Sequence, residues 1–393
     1  MEIILKKEQL VPTLNTVLDV VDNKTAHAIY SNVLISVLDN EIEFTGTDAE
    51  SQVTIQSPFS EIKSTGTTTV NAKKFNELCR LIPDNGDISL KYVDEKLNIT
   101  TDNGKYSLST KPSSDYPVWN KEEFNNPLEI NAKDLYNLIN NVSYAVSNTD
   151  WREFLKGVWM YPEGEMLTAA GSDGPRIAVS RMPLNEGSLT SVGIIPKKAV
   201  NAITRFLSEK NNTVKFDITE SFSLIEADNI FFQTNLLDDP NTPEPTIFNS
   251  HFPKGESDDL EIEVKGFIDA INRISVFSQS NVMHSEKAKG IQIKTTEGGV
   301  TILSRSSKPG ESGEEFFPAS NKGVDFDLIF NEANLRAALS RISAETFILS
   351  IFKDPGTPVI IKEPNDTNTT HLIVPQAPID TSSPAQTKQS TES

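Results

Sequence analysis

A chain of 393 residues is longer than one ordinary hydrophobic core serves, so several domains are expected. Its 37% hydrophobic content suffices for packed cores, yet no stretch approaches the ~18 apolar residues of a membrane span, and the apolar run in MEIILKKEQL is too short for a secretion signal. The net charge of −19, if evenly spread, argues against nucleic acid, while a single cysteine, Cys79, excludes an internal disulfide framework and fits a reducing cytoplasm.

In chain order, MEIIL is expected to be a first strand, and residues 6–22 carry helical periodicity. GTDAESQV (46–53) follows, then a second helix at 71–83, NAKKFNELCRLIP. NGDISLKYVDEKLNITT and GKYSLST alternate as strands, with Asp-Asn-Gly at 84–86 and 102–104 as hairpin turns. The pattern then repeats. GSDGPRIA (171–178) matches GTDAESQV at an offset of 125, and PKKAVNAITRFLSE (196–209) matches the second helix at the same offset. Lys73, Asn76 and Arg80 thereby fall on Lys198, Asn201 and Arg205, opposite the apolar stripe. A looser third copy opens with LEIEVKGFIDAINRISVFSQ (260–279), which matches LEINAKDLYNLINNVSYAVS (128–147), and its second helix is expected at 331–344.

These repeats predict an α+β chain with domains at 1–125, 126–252 and 253–377, each with two helices. Residues 378–393 are polar, rich in Ser and Thr, and expected to be disordered. The helical segments carry a net positive charge in a chain of −19, so the remainder is more acidic still. Their cations are either solvated helix faces or one surface set apart from the others. No phosphate loop, dinucleotide fingerprint or nucleophile elbow occurs, and His27, His251, His284 and His371 lack metal-ligand spacing. GSDGPR itself could be a phosphate loop, a metal carboxylate with its turn, or a corner between strands. Asp173 has Asp48 as its counterpart, which favours a turn-fixing role.

The order and spacing of TTTVNAKKFNELCRLIP, GKYSLSTKPSSDYP, REFLKGV, SDGPRIAVSRMPL and the ending HLIVPQ resemble the β sliding clamps of bacterial DNA polymerase III, up to about residue 377. The resemblance implies a DNA clamp fold of three tandem similar domains, each with two helices and two small antiparallel sheets. Two chains would close head to tail into a dimeric ring with helices lining the hole. It implies a cytoplasmic processivity factor without cofactor, metal or catalytic site. Its partners would be double-stranded DNA held without sequence preference, a second copy, and polymerase and clamp-loader subunits bound through short linear peptides.

The same resemblance assigns Lys24, Lys73, Arg80, Arg152, Lys197, Lys198 and Arg205 to the DNA backbone. An apolar peptide pocket in the second domain would use Leu155, Ser172, Gly174, Pro175, Arg176, Ile177, Pro243 and Ile247, faced by Leu372, Ile373, Val374 and Pro375. The dimer contact would join Lys74, Lys105, Tyr106 and Leu108 to Val276, Phe277, Glu311, Glu314 and Glu315. Two positions depart from the family: Pro175 stands where His is common, and TPEPTIF (242–248) lacks an Arg. The alternative is a diverged scaffold of the same fold that no longer encircles DNA. Salt-sensitive loading onto circular DNA separates the two.

Overall fold

The computed structural model of the chain describes residues 1–376 apart from 23, 25, 85, 185–188, 209, 211, 279–289, 306–310, 320–324, 353 and 355. His284 and the tail expected at 378–393 lie outside the described residues. The chain divides into two compact units, Met1–Asp173 with Ser180–Pro245, and Gly174–Val179 with the chain from Thr246 onward. Seven α-helices occur among the described residues: α1 (Lys7–Leu18), α2 (Ala72–Leu81), α3 (Ala132–Ser143), α4 (Lys197–Leu207), α5 (Ile247–Ser250), α6 (Val264–Ser278) and α7 (Glu332–Leu339). None is long and apolar enough to cross a membrane.

In the first unit, thirteen strands pair into one continuous sheet, so the small sheets of the first two repeats are joined edge to edge. The join is antiparallel, with Ile230 opposite Ile55 and Phe232 opposite Val53. Alternation in the sequence becomes a two-faced strand: Ile88, Leu90, Leu97 and Ile99 are buried while their neighbours stay at least partly open. Asp102 and Asn103 turn one hairpin, with Thr101 opposite Gly104. The other Asp-Asn-Gly, at 84–86, does not: it joins α2 to the strand Asp87–Val93. That hairpin is instead turned by Asp94 and Glu95, both with positive φ (51° and 56°), the left-handed pair that a two-residue turn of this twist requires.

The helices lie close on their strands, and the repeated glycines are what permit it. A Cβ on Gly46 would stand 2.8 Å from Val17 Cγ1 of α1, and one on Gly171 would stand 2.9 Å from the Val142 carbonyl oxygen of α3. Three helices start on an asparagine whose side chain accepts backbone N–H groups: Asn71 from Lys74, Asn131 from Lys133, and Asn331 from Ala333 and Asn334. Phe44, Phe75, Trp159, Phe216 and Phe232 anchor the core of this unit.

The second unit holds a sheet in which Arg176–Val179 pairs with Thr370–Ile373, followed by Val359–Lys362, Thr346–Phe352 and Ser257–Glu263. A four-stranded sheet runs Ser312–Pro318, Gly299–Arg305, Gly290–Thr296 and Asp327–Asn331. Phe267 of α6 packs against Phe317 and Phe347, each ring centroid 5.5 Å away. Arg336 of α7 donates to Asn272 of α6 at 3.0 Å, tying the helix pair.

Candidate functional site

The cations expected to meet DNA fall on the helices and adjoining loops of the first unit, and most have partners. Lys198, early in α4, places its Nζ 2.5 Å from Asp48 Oδ2. That carboxylate sits in the GTDAES turn with its side chain 2% exposed, and its Oδ1 accepts the N–H groups of Glu50 (3.0 Å) and Ser51 (2.7 Å). Arg205, in the last turn of α4, donates from Nη1 to Asp19 Oδ1 at 2.5 Å. Asp19 closes the C-terminus of α1, and burial raises its pKa against the opposing pull of Arg205. Arg152 forms a two-pronged pair with Asp150 at 2.9 and 3.0 Å, which holds the Asp150 pKa at about 2, and its guanidinium lies 5.8 Å from the ring of Trp151.

Lys73 reaches Glu77 only at 4.0 Å on an exposed helix face, and Lys197 donates to the Val146 carbonyl at 2.6 Å. Lys24 and Arg80 form no ion pair within 4 Å among the described residues. One element of the expected polar triplet is not on the solvent face. Asn76 is 3% exposed and donates to Asn15 of α1 at 2.9 Å, so it joins the two helices instead, whereas Asn201 is exposed. Sequence reasoning missed Asp19 and Asp150, and for Asp48 it reached the turn-fixing role but not the ion pair. Only Asp48 carried a signal, its recurrence as Asp173.

The residues expected to hold peptides divide between the units. Leu155, Ser172 and Pro243 belong to the first. Leu155 is 6% exposed at the end of the short turn Glu153–Leu155, and its carbonyl accepts the Ser147 N–H at 2.9 Å. Gly174, Pro175, Arg176, Ile177, Ile247, Leu372, Ile373, Val374 and Pro375 belong to the second. There the structure brings Pro175 to Val374, whose N–H donates to the Pro175 carbonyl at 2.9 Å, extending the pairing of Ile177 with Leu372. Gly174 takes φ +98°, open to glycine at no cost. Ile177, Leu372 and Ile373 are buried, whereas Val374 and Ile247 are about a third exposed. In the 242–248 region, Ile247 opens the single-turn helix α5.

The residues expected at a dimer contact sit on or beside two strands, on α2 and on α6. Tyr106 (42% exposed), Leu108 and Lys105 lie on Gly104–Lys111, which pairs fully with Lys96–Thr101 on one side but on the other only through Thr110 and Lys111. Lys74 is exposed on α2. In the second unit, Glu314 and Glu315 lie on Ser312–Pro318, the outermost strand of its sheet, and Glu311 precedes it. Glu315 is already bound by Arg273 of α6, a pairing that lowers its pKa. Val276 of α6 is 64% exposed, and Phe277 packs over Gly313.

Three family models cover the chain: the DNA polymerase III beta subunit N-terminal domain over residues 1–120, its central domain over 129–243 and its C-terminal domain over 249–377. A beta sliding clamp of Caulobacter vibrioides is 24% identical over 382 residues, covering 95% of this chain and 99% of that protein. The beta sliding clamp of Escherichia coli K12 is 23% identical over 377 residues, with the same coverage. The solved DNA polymerase III subunit beta of Pseudomonas aeruginosa superposes with a TM-score of 0.85 at 23% identity over 95% of this chain and 99% of that one. A Pseudomonas aeruginosa clamp bound to griselimycin gives 0.87 at 22% identity, over 96% and 99%. With all three domain models matched in order, this chain belongs to the DNA polymerase III beta subunit family.

Proposed function

We propose that the chain works as a cytoplasmic DNA sliding clamp that performs no chemistry of its own and closes as a head-to-tail dimer around duplex DNA. Family membership over three consecutive domains carries this reading. The backbone contacts are assigned to Lys24, Lys73, Arg80, Arg152, Lys197, Lys198 and Arg205, which attract phosphate without reading bases. A topological link, rather than tight binding, then keeps the ring on DNA. The dimer contact is assigned to the strand Gly104–Lys111 of one protomer and to Ser312–Pro318 with the end of α6 of the other. Support comes from one strand side paired only at its end and one outermost strand among the described residues, and from the exposed Tyr106 and Val276.

Polymerase and clamp-loader subunits would dock short linear peptides on the surface that Pro175, Arg176, Ile247 and Val374 present. The exposure of Val374 and Ile247 supports that assignment. Loading onto nicked circular DNA with a clamp loader tests the function. The clamp should stay bound at moderate salt and leave promptly when the circle is cut. Equal retention on circular and linearised DNA would overturn encirclement.

A further inference from the structure

The wall assigned to DNA contains an acid that the end of its own helix does not favour. Asp19 caps the C-terminus of α1, the negative end of the helix dipole, where a carboxylate gains nothing from the backbone. Its counter-charge is Arg205, in the last turn of α4, where a cation is favoured by that helix irrespective of Asp19. The pair is asymmetric. Asp19 is 20% exposed and Arg205 66%, and the contact is one nitrogen on one oxygen at 2.5 Å. An open groove of about 620 Å³ runs beside it, lined by Glu8, Asn15, Ser208 and Lys210 among others, so the guanidinium has room to turn. Lys198 differs: its acid, Asp48, is buried and fixed by two backbone N–H groups, so that cation is held in place.

We propose that Asp19 is a built-in competitor of DNA phosphate for Arg205, a positioning residue that weakens the clamp's grip and so favours sliding. Resting on the clamp reading above, the inference adds a mechanism for it. Arg205 exchanges between Asp19 and passing phosphates, and each departure from DNA is eased because the cation is received by a carboxylate rather than by water. A wall of fully available arginines would hold each phosphate longer and slow translocation.

The test uses the full chain and a labelled linear duplex, with binding measured across a salt series for wild type, Asp19→Asn, Arg205→Ala and the double variant. Asp19→Asn should bind several-fold tighter, with a salt slope steeper by up to about 0.9, the share of one phosphate contact. Clamps loaded on long DNA should diffuse more slowly as Asp19→Asn. In the Arg205→Ala background, adding Asp19→Asn should change little. An equal gain in that background would mean that Asp19 acts only as diffuse negative charge, and the competitor role would be wrong. Wild-type-like affinity and diffusion of Asp19→Asn would also overturn it. If the wild type itself fails to load on circles, the clamp reading fails rather than this step.

Discussion

Lys198 and Arg80 sit on the second helices of two repeats and are assigned to the same ligand, yet their removal should have opposite signatures. Lys198→Ala leaves the Asp48 carboxylate, 2% exposed in the wild type, with two backbone donors but no counter-ion. Breaking a buried pair from one side costs about 3–5 kcal/mol; because the Lys198 side chain is 47% exposed and water reaches the gap, about 2 kcal/mol is expected here. Arg80→Ala removes an exposed cation without an ion pair, so stability should stay within about 0.5 kcal/mol while the DNA salt slope falls by about 0.9. Urea denaturation and duplex binding across salt would be measured on both, and on Lys198→Ala with Asp48→Asn. The added Asp48→Asn should restore most of the lost stability, since a neutral amide needs no counter-ion. A Lys198→Ala chain as stable as wild type, with a full loss of one phosphate contact, would show Lys198 to be free for DNA and refute the tie.

Leu108→Asp should give a monomer by sedimentation, because a carboxylate buried in an apolar contact costs several kcal/mol; an unchanged dimer would remove that interface. His371 is fully buried, and desolvation, helped by Arg341, depresses its pKa to about 4. The unfolded chain therefore binds the extra proton between about pH 6.5 and 4, so stability is full above that window and falls as pH drops through it, by about 3 kcal/mol in all. His371→Gln should flatten the fall, as followed by thermal unfolding at stepped pH. Ala49 holds φ at 78°, a conformation that costs a non-glycine residue about 1–2 kcal/mol, so Ala49→Gly should stabilise the chain by about 0.5–1 kcal/mol after the entropy that glycine adds to the unfolded state; urea midpoints would check it.

Periodicity and repetition carried most of the fold. The second helix was expected at 71–83 and spans Ala72–Leu81; the fourth was expected from residue 196 and spans Lys197–Leu207. The first was expected to run to residue 22 but ends at Leu18, because Val20 and Val21 both donate to the Val17 carbonyl in a closing turn. Both are buried there, so the apolar spacing outlasts the helix. Helix α5 is one turn long, too short for any period to register. The ion pairs were illegible for a different reason. Arg205 and Asp19 are 186 positions apart, and nothing local to either marks the other as its partner. Asn76 shows the limit of the repeat itself: it and Asn201 occupy one repeat position, but only Asn76 meets a side chain, Asn15, that draws it into a helix interface.

The GSDGPR stretch and its partner GTDAES show one turn performing two jobs. In both, the first glycine lies under a helix: a Cβ at Gly46 would strike Val17, and one at Gly171 would strike the Val142 carbonyl. The position after the aspartate is left-handed in both, at Ala49 (78°) and Gly174 (98°), so the backbone path is shared even where the side chain is unfavourable. Up to that point the motif is architecture, and this explains why its spacing survives an offset of 125 residues. Beyond it the copies diverge. In the first repeat the aspartate receives Lys198 and fastens α4 to the turn, joining two repeats within one unit. In the second, the chain leaves the turn through Pro175, whose carbonyl accepts Val374, and Arg176–Val179 becomes a strand of the other unit. A motif that resembles a phosphate loop in the sequence is thus a corner, and its chemistry lies in what each copy hands the chain to next.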